Sequence, residues 1–253
     1  MDIIEIQGLS RKYRNGPQAL REVNLAVPAG CRFALLGVNG AGKSTLIRIL
    51  CMLSRADSGT IAIGGISGAT GAKEIRRLIG VALQDPQLDP EETPRAQLRF
   101  QGRLYDMDRK AAETKAEDLI ARFRLGEIAD RKTKDLSGGN KRRLHVALAL
   151  VHGPKALFLD EPTVGMDPEI RADFWAEIRR LNEEDGVTVF FSTQYLAEAE
   201  RNADELAVLD GGLVGYRGTI ADFIGKHAGE GEDLESGFLK YIDARRAKEA
   251  VYA

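Results

Sequence analysis

The sequence has few cysteines and no long apolar run, and each shortage excludes a class of protein. Only two of the 253 residues are cysteines, Cys31 and Cys51, and both stand in apolar segments. We expect buried, reduced thiols there rather than a disulfide framework or a metal site. No stretch approaches the run of about 20 apolar residues that a transmembrane helix needs. We therefore expect the chain to reach a membrane only through a partner.

An excess of charge of either sign is also missing. The 36 Lys and Arg residues nearly balance the 38 Asp and Glu residues, so the net charge is -2. A protein that binds the phosphate groups of a nucleic acid needs a basic surface. This composition therefore argues against a nucleic-acid partner. The N-terminal stretch "MDIIEIQ" carries acidic residues where a secretory signal carries basic ones. The sequence therefore predicts a cytoplasmic protein.

The pattern of apolar residues predicts an α/β fold. Near the N-terminus, "IIEIQGL" and "NLAVPAG" alternate apolar and polar residues, which is typical of short strands. Later runs such as "CRFALLG", "KALFLDEP" and "VTVFFST" are continuously apolar, as in parallel strands buried on both faces. We predict a mostly parallel core sheet, an N-terminal antiparallel β subdomain and an α-helical insert at about 88–152. These make up one domain at 1–220, followed by a linker and a short helix at 221–253.

A phosphate-binding loop is the strongest motif. "GVNGAGKS" fits the pattern G-x-x-x-x-G-K-S, with a predicted strand before it and a helix after it. The glycines allow backbone N–H groups to turn toward phosphate oxygens, and the helix N-terminus adds a partial positive charge. Lys43 supplies a full charge, and the hydroxyl of Ser44 is placed to bind Mg²⁺. The predicted loop of this P-loop NTPase comprises Gly37, Asn39, Gly40, Ala41, Gly42, Lys43, Ser44 and Thr45.

Two acidic residues follow the apolar run "KALFL". Asp160 and Glu161 should reach the same edge of the sheet as the phosphate loop, because the carboxyl ends of parallel strands share an edge. There Asp160 can hold Mg²⁺, and Glu161 can orient and deprotonate an attacking water. Two acids at a strand end are often merely solvated, and it is the phosphate loop that favours the catalytic interpretation.

A second candidate anion site lies in "DLSGGNKRRLHVALAL". Ser137, Gly138 and Gly139 stand before a predicted helix, so a hydroxyl, free N–H groups and a helix N-terminus come together. A single chain that binds one nucleotide needs only one such anion-binding site. Two head-to-tail copies, each offering its second site to the other's nucleotide, would use both.

These motifs resemble those of the ATP-binding subunit of an ABC transporter, from the N-terminus to about Gly218. "GVNGAGKST", "LSGGN" and "LFLDEP" match the phosphate loop, the signature motif and the second nucleotide motif. Asn140 departs mildly from the glutamine that usually ends the signature. The resemblance implies that Gln84 binds Mg²⁺ and senses the membrane partner, that Asp167 is the acid of the D-loop, and that Tyr13 stacks on adenine.

The resemblance also implies the cofactors and partners. We expect ATP and Mg²⁺, a second ATPase subunit (a homodimer is favoured) and a separately encoded transmembrane subunit. "STQYLAEAE" and the stretch around the signature resemble the daunorubicin-resistance type of exporter ATPase, which pairs with a membrane protein of the ABC-2 kind. The chain would then sit peripherally on the cytoplasmic face of the cell membrane.

Gln194 is the main departure from the family pattern. Most relatives place a histidine here, which contacts the γ-phosphate and helps to position the water. A glutamine amide can hydrogen-bond a phosphate oxygen, but it cannot carry a positive charge or shuttle a proton. Either Gln194 replaces the histidine and the site hydrolyses ATP, or the site is degenerate, binds ATP and supports a more active partner. The intact Glu161 favours hydrolysis.

Two further interpretations have less support. One is a non-hydrolysing regulatory partner, which again depends on Gln194. The other is a soluble ABC-type ATPase that acts on nucleic acid or the ribosome. Such proteins usually carry two ATPase units in one chain, or a coiled-coil or metal-bearing insert. This chain has one unit, no cysteine cluster and a slightly negative charge.

Overall fold

Two β-sheets form the framework of the protein. The structure is a computed structural model, and it describes residues 1–14 and 16–251. The smaller sheet is antiparallel in every strand pair and has the order β2-β1-β4-β5. It confirms the predicted N-terminal antiparallel subdomain. Its strands are β1 (Asp2–Lys12), β2 (Gln18–Pro28), β4 (Ser58–Ile63) and β5 (Ile66–Ser67).

The larger sheet places the loops that matter for function along one edge. Its six strands have the order β10-β9-β3-β8-β7-β6, and all neighbours are parallel except the β10–β9 pair. Consequently the carboxyl ends of five strands face the same way, and the mostly parallel core sheet is confirmed. The strands are β3 (Arg32–Leu36), β6 (Ile79–Ala82), β7 (Ala156–Asp160), β8 (Thr188–Ser192), β9 (Glu205–Asp210) and β10 (Leu213–Thr219).

The continuous apolar runs arise because the larger sheet is buried on both faces. Successive side chains of a strand point to opposite faces. Phe33 and Phe190 pack in the core shared with the smaller sheet, whereas Ala34 and Phe191 pack in the core under the helices. Each strand therefore needs apolar residues at every position rather than at alternate positions.

Both cysteines lie in the first of these cores, as the sequence predicted. Cys31 and Cys51 are buried free thiols. Burial raises the pKa of the Cys31 thiol to about 12 and raises that of Cys51 as well. Both side chains therefore act as small apolar residues at neutral pH.

Nine α-helices connect and cover the strands in the described part of the chain. Three of them lie between β6 and β7, where the helical insert is predicted, and each begins at a good N-cap. The side chain of Thr93 accepts a hydrogen bond from the N–H of Ala96, and Asp108 does the same for Ala111. The helices are α1 (Lys43–Leu50), α2 (Ala72–Leu78), α3 (Pro94–Leu104), α4 (Arg109–Arg122), α5 (Gly138–Ala149), α6 (Pro168–Asp185), α7 (Leu196–Asn202), α8 (Ile220–His227) and α9 (Leu234–Val251). Within the described residues, none of these helices combines the length and apolarity that crossing a bilayer demands.

The C-terminal segment differs from the predicted linker and short helix. Residues 221–227 belong to α8, because Phe223 inserts into a buried aromatic cluster and its ring lies 4.9 Å from that of Tyr216. A linker begins only after His227, and the terminal helix α9 has 18 residues. Residues 252 and 253 of the predicted segment lie outside the described residues.

Candidate nucleotide-binding site

Loops from four parallel strands converge on one cleft. The phosphate loop follows β3, Gln84 follows β6, Glu161 follows β7 and Gln194 follows β8. The cleft has a volume of about 640 Å³. Eleven of the residues predicted for the site line it: Tyr13, Asn39, Gly40, Ala41, Gly42, Lys43, Ser44, Thr45, Gln84, Glu161 and Gln194.

Glycines allow the phosphate loop to curl at the start of α1. Gly40 (φ 81°) and Gly42 (φ 107°) have left-handed backbones, which side chains disfavour. A Cβ atom on Gly42 would also lie 2.3 Å from the carbonyl oxygen of Ala19 on β2. The loop therefore needs glycine at Gly42 for two independent reasons.

Lys43 is a buried cation within this loop. Its Nζ donates hydrogen bonds to the carbonyl oxygens of Gly37 (2.7 Å) and Val38 (3.3 Å). Burial lowers the pKa of Lys43, and the carboxylates of Glu161 and Asp160 oppose that lowering. The ammonium group is thus held by carbonyls and placed between the loop and the acidic residues.

Asp160 and Glu161 are both anchored by Ser192 on the neighbouring strand β8. Asp160 is only 3% exposed and accepts a hydrogen bond of 2.5 Å from the Ser192 hydroxyl. The N–H of Glu161 donates to both the carbonyl (3.2 Å) and the hydroxyl (3.1 Å) of Ser192. Ser192 was not among the predicted site residues, because its role depends on strand register.

The backbone of Glu161 is strained. Its φ of 47° is left-handed, which costs a residue other than glycine about 1 to 2 kcal/mol. The Glu161 side chain is half-buried, and its Oε2 accepts a hydrogen bond of 3.3 Å from Nε2 of Gln84. The strained turn brings the carboxylate into the cleft and beside Gln84.

Tyr13 forms an aromatic wall near the phosphate loop. The ring is 41% exposed, and its hydroxyl lies 3.4 Å from the hydroxyl of Thr45. The guanidinium of Arg11 packs 5.1 Å from the ring centroid and is itself paired with Asp57 at 2.6 Å. A ring braced in this way is suited to stack on a planar base.

Gln194 is exposed in the cleft, and the loop that carries it is anchored by a buried acid. Both carboxylate oxygens of Glu198 accept hydrogen bonds, one from the Thr163 hydroxyl and one from the Thr193 hydroxyl at 3.0 Å. Arg171 Nε lies 3.5 Å from the same carboxylate. Sequence reasoning missed Glu198. The available signal was an acidic residue four positions after Gln194, in the first turn of α7.

The signature segment and the D-loop acid lie elsewhere. Ser137 caps α5 by accepting a hydrogen bond of 3.3 Å from the N–H of Asn140, and Ser137 and Gly138 are exposed. Asp167 is exposed at the start of α6. Within the described chain, none of these residues lines the cleft. One chain brings eleven of the predicted residues together in the cleft, whereas Ser137, Gly138 and Asp167 are exposed outside it.

This fold and cleft define the protein as a P-loop NTPase, and comparison with known proteins identifies its family. The model of the ABC transporter family matches residues 20–164, and the chain belongs to that family. The chain is 42% identical to the daunorubicin/doxorubicin resistance ATP-binding protein DrrA of Streptomyces peucetius over 87% of its own length. It is 37% identical to the Nod factor export ATP-binding protein I of Mesorhizobium japonicum over 89% of its length. The chain spans 66% of the length of each of these relatives.

Solved structures agree with the family assignment. An ATP-binding subunit of an ABC transporter is 28% identical and superimposes with a TM-score of 0.85, which covers 94% of this chain and 98% of that one. A dimeric ATP-binding cassette in a post-hydrolysis state, bound to ADP and Pi, is 26% identical with a TM-score of 0.79 and covers 85% of this chain and 98% of that one. The chain therefore contains an ABC ATPase domain.

Proposed function

We propose that this protein is the ATP-hydrolysing subunit of an ABC exporter and works as a head-to-tail homodimer. One observation carries the proposal: the phosphate loop, Gln84, Glu161 and Gln194 share a cleft, whereas Ser137 and Gly138 are exposed and lie outside it. A second copy could present its signature segment to ATP held in the cleft of the first. Each copy would then use both of its anion-binding sites.

The chemistry assigns a role to each group in the cleft. A water oxygen attacks the γ-phosphorus, the bond from that phosphorus to the β–γ bridging oxygen breaks, and Glu161 accepts a proton from the water. Lys43 and the N–H groups of the partner's signature segment offset the charge of the transferred phosphoryl group. Gln194 donates its amide N–H to a γ-phosphate oxygen, and Tyr13 stacks on the adenine.

The predicted Mg²⁺ ligands have suitable chemistry. Ser44 offers a hydroxyl oxygen, Gln84 an amide oxygen and Asp160 a carboxylate oxygen, and Mg²⁺ in nucleotide sites prefers few protein oxygens together with phosphates and waters. When bound, the ion would neutralise charge between the β- and γ-phosphates. The hydrogen bond from Ser192 fixes the carboxylate of Asp160 near the phosphate loop.

The relatives support export as the direction of transport. One is named for drug resistance and another for Nod factor export. By this analogy the transported compound enters through a separately encoded membrane subunit of the ABC-2 type, and this protein lies on the cytoplasmic face of the membrane.

A groove beside the Gln84 loop is our proposed docking surface for that membrane subunit. Two adjoining hollows share Gln87, Gln101 and Leu148, and their volumes are about 280 and 560 Å³. Phe100, which is 64% exposed, lines one of them. Exposed apolar side chains beside a groove are typical of a protein interface. Because Gln87 lies three residues after Gln84, a partner in the groove would contact the loop that enters the nucleotide cleft.

The central experiment measures ATP turnover and dimer formation by the purified chain. We expect Mg²⁺-dependent hydrolysis by the wild type and a loss of at least about a hundredfold in Glu161→Gln, since the base is removed while ATP binding is kept. Size-exclusion chromatography should detect an ATP-trapped dimer of Glu161→Gln. Glu183→Gln makes the same change on an exposed side chain and should leave turnover unchanged. Undiminished turnover in Glu161→Gln would refute the assigned base.

Docking is tested separately by co-purification with the native membrane subunit. Phe100→Ser should lose the membrane subunit and keep the basal turnover of the isolated chain. Leu239→Ser is the matched control, since Leu239 is comparably exposed but lies on α9. Equal loss of the membrane subunit in both variants would contradict the proposed surface.

A further inference from the structure

Arg142 connects the signature helix to two loops of the cleft. It lies on α5, and its side chain is buried, with the residue only 6% exposed. Its Nη1 donates hydrogen bonds to the carbonyl oxygens of Leu83, at 2.8 Å, and Gln84. Its Nη2 donates to the carbonyl oxygen of Glu161 at 3.2 Å. One guanidinium therefore binds the backbone of both the Gln84 loop and the Glu161 turn.

The surroundings of this guanidinium are unusual for a buried charge. Among the described residues, no carboxylate lies within 4.0 Å of Arg142, so its direct partners are neutral carbonyls. Burial lowers the pKa of Arg142, and the more distant charges of Asp85, Asp160 and Glu161 oppose this lowering. Arginine suits this position because its planar guanidinium presents five N–H donors in a fixed fork. A lysine side chain is shorter and ends in a single ammonium group, so it cannot present donors in that planar arrangement.

The contacts hold Glu161 from two sides. Its N–H donates to Ser192 of β8, and its carbonyl oxygen accepts from Arg142 of α5. The left-handed φ of 47° lies between these two restraints. The Gln84 side chain donates to the carboxylate of Glu161, while the Gln84 carbonyl accepts from Arg142. Gln84 and Glu161 are thus fixed relative to each other through their side chains and, by way of Arg142, through their backbones.

We propose that Arg142 is a positioning residue for ATP hydrolysis. It sets the separation of Gln84 and Glu161, and it couples the position of α5, whose first residues follow Ser137, to the geometry of the cleft. The inference rests on the proposed function, in which Glu161 is the base, and adds that Gln84 orients this base through its hydrogen bond to the carboxylate. Arg142 does not line the cleft, so it acts through these two residues rather than on ATP.

The first test separates catalysis from binding. We expect Arg142→Met to lower kcat at least tenfold and to change the Kd for a fluorescent ATP analogue less than threefold. Arg142→Lys should recover part of the lost kcat, since it keeps the charge and some donors. Arg122→Met is the control: Arg122 is also a largely buried arginine, but it pairs with Glu177 at 2.8 Å outside the cleft. We expect its kcat to stay within twofold of the wild type.

The second test asks whether Arg142 acts through the Gln84–Glu161 pair. In a double-mutant cycle, Arg142→Met should lower kcat much less in a Gln84→Ala background than in the wild type. Equal fold-losses in both backgrounds, or a loss of ATP affinity in place of kcat, would overturn the proposal. If Arg142→Met fails to fold, Arg142→Lys decides the question: at least a threefold fall in kcat at unchanged Kd supports the proposal, and wild-type kcat refutes it. Wild-type turnover in both Arg142 variants together with undiminished turnover in Glu161→Gln would instead refute the assignment of Glu161 as the base, on which this inference rests.

Discussion

The amide Nε2 of Gln84 lies 3.3 Å from the carboxylate Oε2 of Glu161, although 77 positions separate the two residues in the chain. They meet because β6 and β7 are parallel neighbours and their loops leave the same edge of the sheet. The Gln84 loop also borders the proposed docking groove through Gln87. A shift of this loop would therefore reach the proposed base through a single hydrogen bond.

Removal of the Gln84 amide should lower turnover. We expect Gln84→Ala to reduce kcat about tenfold or more, because Glu161 loses the group that orients it. Gln84→Glu should reduce kcat further, since two carboxylates would then face each other in the cleft. Steady-state ATPase assays with and without the membrane subunit measure both effects. Wild-type kcat in Gln84→Glu would show that the hydrogen bond has no role in turnover.

Gln194 should contribute to catalysis as a hydrogen-bond donor. We expect Gln194→Ala to lower kcat about a hundredfold, the usual cost of losing one donor to a developing charge. If Gln194→Ala keeps full turnover, the γ-phosphate contact is wrong. A many-fold gain in Gln194→His would favour the degenerate-site alternative. The Gln194 variants therefore separate ATP hydrolysis from ATP binding in support of a partner, which the rest of the cleft does not distinguish.

Tyr13 should affect ATP affinity rather than turnover. We expect Tyr13→Ala to weaken binding of an ATP analogue by about 1 kcal/mol, or roughly five- to tenfold, through lost stacking. Tyr13→Phe keeps the ring and should bind within about twofold of the wild type, because the hydroxyl contact to Thr45 is long. Fluorescence titration with a base-modified analogue measures this difference. Wild-type affinity in Tyr13→Ala would show that Tyr13 is an ordinary surface residue that does not stack on the adenine.

Stability should fall in mild acid because His145 is half-buried and its surroundings favour the neutral form. Burial, aided by the charge of Arg142, lowers the pKa of His145 to about 4. In the unfolded chain, His145 titrates near pH 6.5. Between about pH 4 and pH 6.5, the unfolded chain therefore binds more protons at His145 than the folded chain does. The contribution of His145 to the free energy of unfolding is therefore complete above about pH 6.5. It falls by up to about 1.4 kcal/mol per pH unit as the pH drops toward 4.

Urea unfolding of the wild type and His145→Gln at two pH values checks this effect. Between about pH 7.5 and pH 5, the variant should lose less stability than the wild type, by roughly 1 to 2 kcal/mol. Some dependence should remain, because burial also lowers the pKa of His152. Identical pH dependence in both proteins would contradict the prediction.

Glu198 should be needed to hold the loop that carries Gln194. Glu198→Ala leaves the hydroxyls of Thr163 and Thr193 without their acceptor and Arg171 without its nearest carboxylate, and we expect a loss of about 2 to 4 kcal/mol in the free energy of unfolding. Glu184→Ala breaks an exposed pair with Arg180 and should cost less than about 0.5 kcal/mol. Denaturant unfolding compares the two variants, and similar losses would argue against a special role for Glu198.

The sequence predicted the sheet and the cleft because both depend on local patterns. Strands buried on both faces have continuous apolar runs, and parallel strands deliver their following loops to one edge. For this reason the apolar run before them was enough to assign Asp160 and Glu161 to the phosphate-loop edge, whereas Gln194 was assigned to the site through the family resemblance. The phosphate loop itself is recognisable because its glycines, Lys43 and Ser44 are adjacent in the chain.

The supporting contacts could not be predicted in the same way. The three carbonyls that bind Arg142 belong to segments 19 to 59 positions away, and any arginine on α5 would look the same in sequence. Ser192 anchors Asp160 and Glu161 only because β7 and β8 pair in the observed register. Helix α8 was missed because it is only eight residues long, although Thr219 caps it by accepting a hydrogen bond from the N–H of Asp222 and Phe223 on it is fully buried.

The burial of both thiols makes the protein convenient for spectroscopy. Cys31 and Cys51 are sequestered in a core, and their raised pKa values leave almost no thiolate to react with maleimide or methanethiosulfonate reagents. A single cysteine introduced on the exposed surface could therefore be labelled selectively without removing the native ones. In the proposed homodimer, a spin label beside the signature segment of each copy would give the distance between the two segments and show whether it changes during the ATP cycle.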